Sequence, residues 1–193
     1  EQDGTLKEIF SQFSLQNLME VRIITVSKKE ETVFEAPLSS TVLTAEEIKT
    51  SGATSIMEAL RLVPGLIVRE QTPGNYDIHI RGFSGVDPYA LGVQKMNTTT
   101  LVMINNRIVY NDGFGGTLWN LLPIGIDDVE KIEVVRGPSS ALYGPNAATG
   151  VINIITKQPD QKAGWSASSY SQVGNYNTLL ATGSVGYASD DKT

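Results

Sequence analysis

The chain has 193 residues, enough for one domain with a proper core or for one domain with an appendage. Charged residues make up 19% and the net charge is −6, which argues against nucleic acid as a partner because nucleic-acid binders carry a basic face. The absence of cysteine excludes disulfides, cysteine–zinc sites and thiol nucleophiles, and no apolar run approaches the ~20 residues of a membrane-spanning helix.

Residues 1–36 are predicted to form a leader ahead of the main domain. No signal peptide is present at Glu1, so we expect a mature or trimmed chain. Apolar residues at helical spacing predict an amphipathic helix near the start: Leu6, Ile9, Phe10 and Phe13. The β-branched run Val21–Ser27 predicts a short strand. The pattern alone is equally typical of an isolated strand on a flexible leader and of an ordinary edge strand in a sheet.

Residues 37–159 are predicted to form a compact α+β domain of short strands and short helices. Two capping boxes open helices that end near a glycine and a proline: Thr44–Glu47, Ser55–Glu58, Gly52 and Pro64. Strands are predicted at LSSTVLT, LIVRE, DIHIRG, LVMI, RIVY, VEKIEVVRG and VINIIT, with a hairpin turn at Asn105–Asn106. Two glycine-rich stretches, Ser84–Thr100 and Asn111–Asn120, predict long loops.

Two alternating runs of about ten residues follow Pro159 and fill most of residues 160–193. In the second run one face is shared by Leu179, Ala181, Val185 and Tyr187. Alternation over ~9–11 residues suits a strand of an outer-membrane barrel. The pattern alone leaves a soluble hairpin open.

No catalytic, metal or cofactor site is predicted. The loop RGPSSALYGPNAATG lacks the spacing and the lysine of a phosphate-binding loop, and no nucleophile elbow is present. His79 is the one histidine and cannot build a histidine-based metal site alone, so we expect it to be a strand-face residue. The pair Asp127–Asp128 is expected to cap the turn before a strand.

The order of these segments resembles the plug domain of TonB-dependent outer-membrane receptors. The resemblance rests on VLTAEEIKTSGATSIMEALRLVPGLIV, IHIRGF, TLVMINNRIVY and IDDVEKIEVVRGPSSALYGPNAATGVINIITK, which follow one another in the family's order. The family commonly has Asp-Gly where this chain has Asn105–Asn106. The resemblance implies a plug-domain fold, with a small mixed β-sheet, short helices and long apical loops, followed by a hairpin of a truncated transmembrane barrel.

The resemblance also implies partners. The plug would fill the lumen of the chain's own C-terminal barrel, of about 22 strands, and residues 160–193 would be that barrel's first two strands. The inner-membrane protein TonB would bind a leader segment by strand addition. By position and β-branched character, the candidate residues are Val21, Arg22, Ile23, Ile24, Thr25 and Val26.

Two further kinds of site follow from the resemblance. Arg81 and Arg136 match the arginines that pair with barrel glutamates to lock the plug, the alternative being two solvated surface arginines. Contacts to a small-molecule nutrient would come from aromatic residues of the outward loops, the alternative being that these rings pack the loops themselves. The candidates are Tyr89, Tyr110, Phe114 and Trp119.

The resemblance therefore implies a non-enzymatic plug that gates energy-coupled import of a ferric siderophore, cobalamin or similar nutrient across a Gram-negative outer membrane. A stand-alone periplasmic binding module that reuses the fold is the alternative, whereas no residues support a hydrolase. The small residues after Arg136 are expected to give clearance for tight packing against a barrel wall. One check is whether Gly150 adopts a backbone conformation closed to alanine.

Overall fold

The computed structural model describes residues 22–23, 31–32, 39–72, 74–82, 97–111, 116–158, 164–175 and 178–188. The predicted leader helix lies outside these residues. The chain divides into two compact units, Glu1–Thr156 and Lys157–Thr193. The strands are β1 (Arg22–Ile23), β2 (Glu31–Thr32), β3 (Ser39–Thr44), β4 (Leu66–Thr72), β5 (Asn75–Ile80), β6 (Thr100–Ile104), β7 (Arg107–Ile108), β8 (Val129–Arg136), β9 (Gly150–Thr156), β10 (Gly164–Gly174) and β11 (Thr178–Ala188). The α-helices are α1 (Ala45–Ser51), α2 (Ile56–Leu60) and α3 (Ser140–Tyr143).

A five-stranded mixed sheet organises the first unit, in the order β3-β8-β9-β6-β7. Strands β6 and β9 pair in parallel, while β3–β8, β8–β9 and β6–β7 are antiparallel. A separate antiparallel hairpin is formed by β4 and β5. The predicted α+β class with a small mixed sheet is confirmed, and each predicted strand of the domain is found.

The two short helices begin where the capping residues predict. Thr44 and Glu47 form the complete capping box of α1, and Gly52 ends the helix in the left-handed conformation with φ 74°. The box at α2 differs from the prediction. The Ser55 hydroxyl accepts the Glu58 N–H at 3.2 Å, but the Glu58 carboxylate accepts the N–H and hydroxyl of Thr54 at 2.7 and 2.6 Å.

The sheet is buried on both faces. One face packs on α1, α2, the β4–β5 hairpin and the side chain of Trp119 to form the main core. The opposite face carries a smaller cluster made by Leu101, Met103, Val135, Ala147 and Val151. Because both faces are covered at its centre, β9 (GVINIIT) is a nearly continuous apolar run, whereas β8 (VEKIEVVR) carries charged residues between its apolar ones.

The Asn105–Asn106 turn is tied to the neighbouring strand by its side chains. Both residues have positive φ, 49° and 64°, as a type I′ hairpin turn requires. The Asn106 amide oxygen accepts from Asn153 at 2.9 Å, and the Asn105 amide donates to the Thr156 hydroxyl at 2.7 Å. Where the family commonly has Asp-Gly, this chain therefore has two asparagines whose side chains hydrogen-bond to β9.

The small-residue loop after β8 contains α3 and a short 3-10 helix, Pro145–Ala147. Gly150 has φ 155°, and a Cβ atom there would lie 2.1 Å from the Val135 carbonyl oxygen and 2.6 Å from Ile80. The prediction that Gly150 is closed to alanine is therefore confirmed. The obstruction comes from the domain's own strands, whereas the prediction invoked a barrel wall.

The second unit is the antiparallel hairpin of β10 and β11. Its register pairs Trp165 with Tyr187 at one end and Val173 with Leu179 near the other. The two aromatic rings lie 5.1 Å apart, centroid to centroid. Since side chains alternate along a strand, these four residues and Val185 occupy one face.

Candidate functional site

Arg81 lies at the point where the chain leaves β5. Its φ of 55° is left-handed, which costs a non-glycine residue about 1–3 kcal/mol, and Gly82 continues the turn at φ 77°. The Arg81 N–H donates to the Gly65 carbonyl at 2.7 Å, which anchors the turn to the segment ahead of β4. The Arg81 side chain remains exposed.

Arg136, the last residue of β8, joins three segments of the domain. Its Nη1 donates to the Pro64 carbonyl at 2.6 Å. Its Nη2 donates to the Thr41 hydroxyl at 2.8 Å and to the Ser40 carbonyl at 3.2 Å. The Nε atom is buried without a hydrogen-bond partner in the structure. Arg136 is therefore held by its own domain, unlike the solvated arginine of the alternative prediction.

The two arginines lie close enough for their charges to interact. Burial lowers the pKa of Arg136, and the positive charge of Arg81 lowers that pKa further. Within the described part of the chain, neither arginine forms an ion pair with a carboxylate. Among the described residues no carboxylate balances these two like charges, and such an arrangement favours an anionic partner.

A second charged cluster lies on the β4–β5 hairpin. Asp77, only 4% exposed, accepts a hydrogen bond from Arg69 Nε at 3.2 Å. The Nε2 atom of His79 lies 3.8 Å from the Asp77 carboxylate. Burial lowers the pKa of His79, Asp77 opposes that shift, and Arg69 adds to it. His79 lies on a strand as predicted, and no group of three or more metal-ligating side chains occurs among the described residues.

An ion pair with one buried partner lies on the opposite face of the main sheet. Glu133 is fully buried at 0% exposure, and its carboxylate lies 2.8 Å from Lys131 Nζ. Burial, and then the charge of Glu133, raises the pKa of Tyr143 in α3. This pair was not predicted from the sequence. The sequence does contain an indication of it: Lys131 and Glu133 are two residues apart in a predicted strand, and residues at that spacing lie on the same face.

The candidate TonB-binding segment is described only at Arg22–Ile23, and the remainder of Val21–Val26 lies outside the described residues. These two residues form β1, which pairs antiparallel with β2. The register places Arg22 opposite Thr32 and Ile23 opposite Glu31. The described part of the segment therefore has the extended conformation that strand addition uses.

The four aromatic candidates for ligand contact are separated by the structure. Tyr89 and Phe114 lie outside the described residues, and Tyr110 is half-buried just after β7. Trp119 is 7% exposed and belongs to the main core, where it packs with residues of the sheet and the short helices. Trp119 also lines a small pocket with Gln71, Asn75, Leu118 and Asn120.

None of the described helices has the length and apolar character needed to cross a membrane.

Comparisons with known proteins agree with this architecture. Residues 32–151 match the family model of the TonB-dependent Receptor Plug Domain. The chain is 31% identical over 144 residues to the vitamin B12 transporter BtuB of Vibrio vulnificus (strain CMCP6), covering 74% of this chain and 21% of that relative. It is 34% identical over 151 residues to the iron-regulated outer membrane virulence protein of Vibrio cholerae serotype O1, covering 77% of this chain and 21% of that relative.

Among solved structures, the ferric yersiniabactin uptake receptor FyuA from Yersinia pestis matches with a TM-score of 0.54 and 25% identity, covering 75% of this chain and 20% of that one. The chain thus spans about a fifth of the length of the curated relatives it matches. The fold and the matched residues define a plug domain. The chain belongs to the TonB-dependent receptor plug family.

Proposed function

We propose that this chain is the plug of a TonB-dependent receptor in a Gram-negative outer membrane, seated in the lumen of a β-barrel formed by the same polypeptide. The observation that carries this proposal is the family match over residues 32–151. The receptor imports a scarce nutrient of the ferric siderophore or cobalamin class, because the similar proteins are named for vitamin B12 and ferric yersiniabactin. The plug acts by gating and not by catalysis.

Arg81 and Arg136 supply the plug's half of a lock with the barrel. They bring two positive charges together with no carboxylate from the described residues to balance them. Barrel glutamates would supply that counter-charge, and Arg136 Nε offers a buried donor without a partner. An Arg136→Lys receptor keeps the charge but loses the guanidinium fork, so we expect leakier gating in a conductance assay. Wild-type conductance in that variant would contradict the lock.

The leader binds TonB through the segment Val21–Val26. Strand addition uses backbone hydrogen bonds and tolerates varied side chains, and Arg22–Ile23 already form a strand. Ligand contacts come from the outward loops, with Tyr89, Tyr110, Phe114 and Trp119 as the aromatic candidates, of which Trp119 has only 7% of its surface available.

The β10–β11 hairpin forms the first two barrel strands. Each strand has 11 residues, the length that a tilted strand needs to cross a bilayer. The apolar face carries large exposed side chains, including Trp165, Val173, Leu179 and Val185 at 69–80% exposure. Large apolar side chains on one face are stabilised by contact with lipid, whereas on a hairpin in water they would remain exposed to solvent.

Transport by the full-length receptor tests the function. An Ile24→Pro variant removes a backbone donor from the TonB-binding segment, so energised uptake should be lost while binding of the nutrient to whole cells persists. A Gln2→Pro variant, outside the segment, is the matched control and should transport normally. Unimpaired uptake by Ile24→Pro would contradict the assignment of the segment. Absence of any uptake phenotype on deleting the whole gene would favour a periplasmic binding module.

A further inference from the structure

The leader enters the main sheet through β3. β3 lies at the edge of the sheet and, among the described strands, pairs only with β8. The register places Ser39, the first residue of β3, opposite Arg136, the last residue of β8. A pull on the leader therefore reaches the sheet first at the pair Ser39–Arg136.

The side chain of Arg136 lies across the start of β3. Its Nη2 donates to the Ser40 carbonyl and to the Thr41 hydroxyl. Of the three hydrogen bonds that the guanidinium makes to described residues, β3 accepts two, and the third goes to Pro64 in the turn ahead of β4. Separation of β3 from β8 therefore breaks the hydrogen bonds of Arg136 to Ser40 and Thr41.

These hydrogen bonds differ in strength from the backbone hydrogen bonds between strands. They are charge-assisted, which makes them stronger than bonds between neutral groups. The positive charge of Arg81 repels the Arg136 guanidinium. The position of the guanidinium therefore depends on its hydrogen bonds to Pro64, Ser40 and Thr41. Thr41 contributes the one side-chain acceptor among them.

We propose that Thr41 is a positioning residue that couples the pulled leader to Arg136: it holds the guanidinium while β3 is paired and releases it when β3 peels away. Tension on the leader then reaches the lock at the first step of peeling, before the remainder of the sheet opens. This inference rests on the proposed function, because it assumes that the leader is the site of pulling.

Single-molecule pulling on the full-length receptor in lipid vesicles, with a handle on the leader at Glu1, tests the proposal without TonB. Thr41→Val removes the acceptor at nearly constant volume, and the rate of the first rupture should rise on the order of tenfold. Thr41→Ser keeps a hydroxyl and should restore the wild-type rate. Thr50→Val is the matched control, because Thr50 lies exposed on α1, and it should leave the rate unchanged.

A double-mutant cycle separates positioning from general stability. In an Arg136→Gln background, Thr41→Val should add no further increase, because the bond that it removes is already absent. An equal increase in both backgrounds, or equal rates for Thr41→Val and Thr50→Val, would overturn the proposal. Failure of the proposed function is distinguishable, since it appears as normal uptake by Ile24→Pro whatever the rupture rates.

Discussion

Gly150 approaches Val135 so closely that no side chain fits between them: a Cβ atom on Gly150 would lie 2.1 Å from the Val135 carbonyl oxygen. The contact spans the β8–β9 pair, and Val135 directly precedes Arg136, the residue that the register pairs with Gly150. The end of β8 that carries Arg136 and the start of β9 are therefore held together by backbone contact. This close approach places Arg136 relative to Ile80 and the β5 strand that precedes Arg81.

Replacing Gly150 by alanine should destabilise the plug. The new methyl group meets backbone, which cannot move aside, so the expected cost is about 1–3 kcal/mol or more. Gly144→Ala is the control, because Gly144 also has positive φ, 90°, but no atom lies within 4 Å of the position that its Cβ would take. Thermal unfolding and outer-membrane yield measure the difference. Equal losses for the two variants would mean that backbone strain, and not the contact, is responsible.

Replacing Asn106 by glycine should weaken the link between the hairpin turn and β9. Glycine suits the positive φ of the turn, so turn propensity alone predicts no loss. The variant nevertheless loses the hydrogen bond accepted from Asn153, and we expect about 1 kcal/mol of destabilisation in chemical unfolding. Asn106→Asp keeps an acceptor oxygen and should lose less. A glycine variant as stable as wild type would contradict the role of the amide.

Acidification should open the β4–β5 hairpin through His79. Burial holds the pKa of His79 below its ordinary value, so the folded state binds fewer protons than the unfolded state. The contribution of His79 is fully present above the unfolded-state pKa of about 6.5 and is lost as the pH falls from there toward the folded-state pKa. Asp77 and Arg69 are the charged groups that face it.

Hydrogen exchange of the β5 amides between pH 7 and pH 5, corrected for the intrinsic exchange rate, measures this effect. Wild-type protection should decline with falling pH, and His79→Gln should flatten that dependence. This chain has one histidine, so no other imidazole of the plug contributes. The same decline in His79→Gln would exclude His79 as its source.

A lysine on the apolar face of the β10–β11 hairpin should obstruct membrane insertion. Ala181 lies on the face of Val185, and Thr182 lies on the opposite face. Ala181→Lys should cost about 2–4 kcal/mol if that face meets lipid near the bilayer midplane, whereas Thr182→Lys should be tolerated. Receptor folding into lipid vesicles compares the two. Equal tolerance of both lysines would argue for a water-exposed hairpin.

Local signals in the sequence predicted a large part of the fold. The capping box of Thr44, the glycine at position 52 and the turn at Asn105–Asn106 act over a few residues, so their patterns identify helix starts and turns directly. The alternation after Pro159 predicted the face shared by Leu179 and Val185 for the same reason. The candidate arginines were found by resemblance, and their charges gave no indication of what each one contacts.

By itself, the sequence determined the element types of the described domain, the α+β class and the family, because each follows from short-range spacing or from motifs read in order. It also made Arg81 and Arg136 the candidates for a lock with the barrel. Only the tertiary structure decided that Arg136 binds Thr41 and Pro64, residues 95 and 72 positions away. It also decided that Trp119 enters the core and that Asp77 and Glu133 are buried charges. These features depend on which strands become neighbours, and strand neighbourhood is set by packing of the whole domain, which no local window of sequence contains.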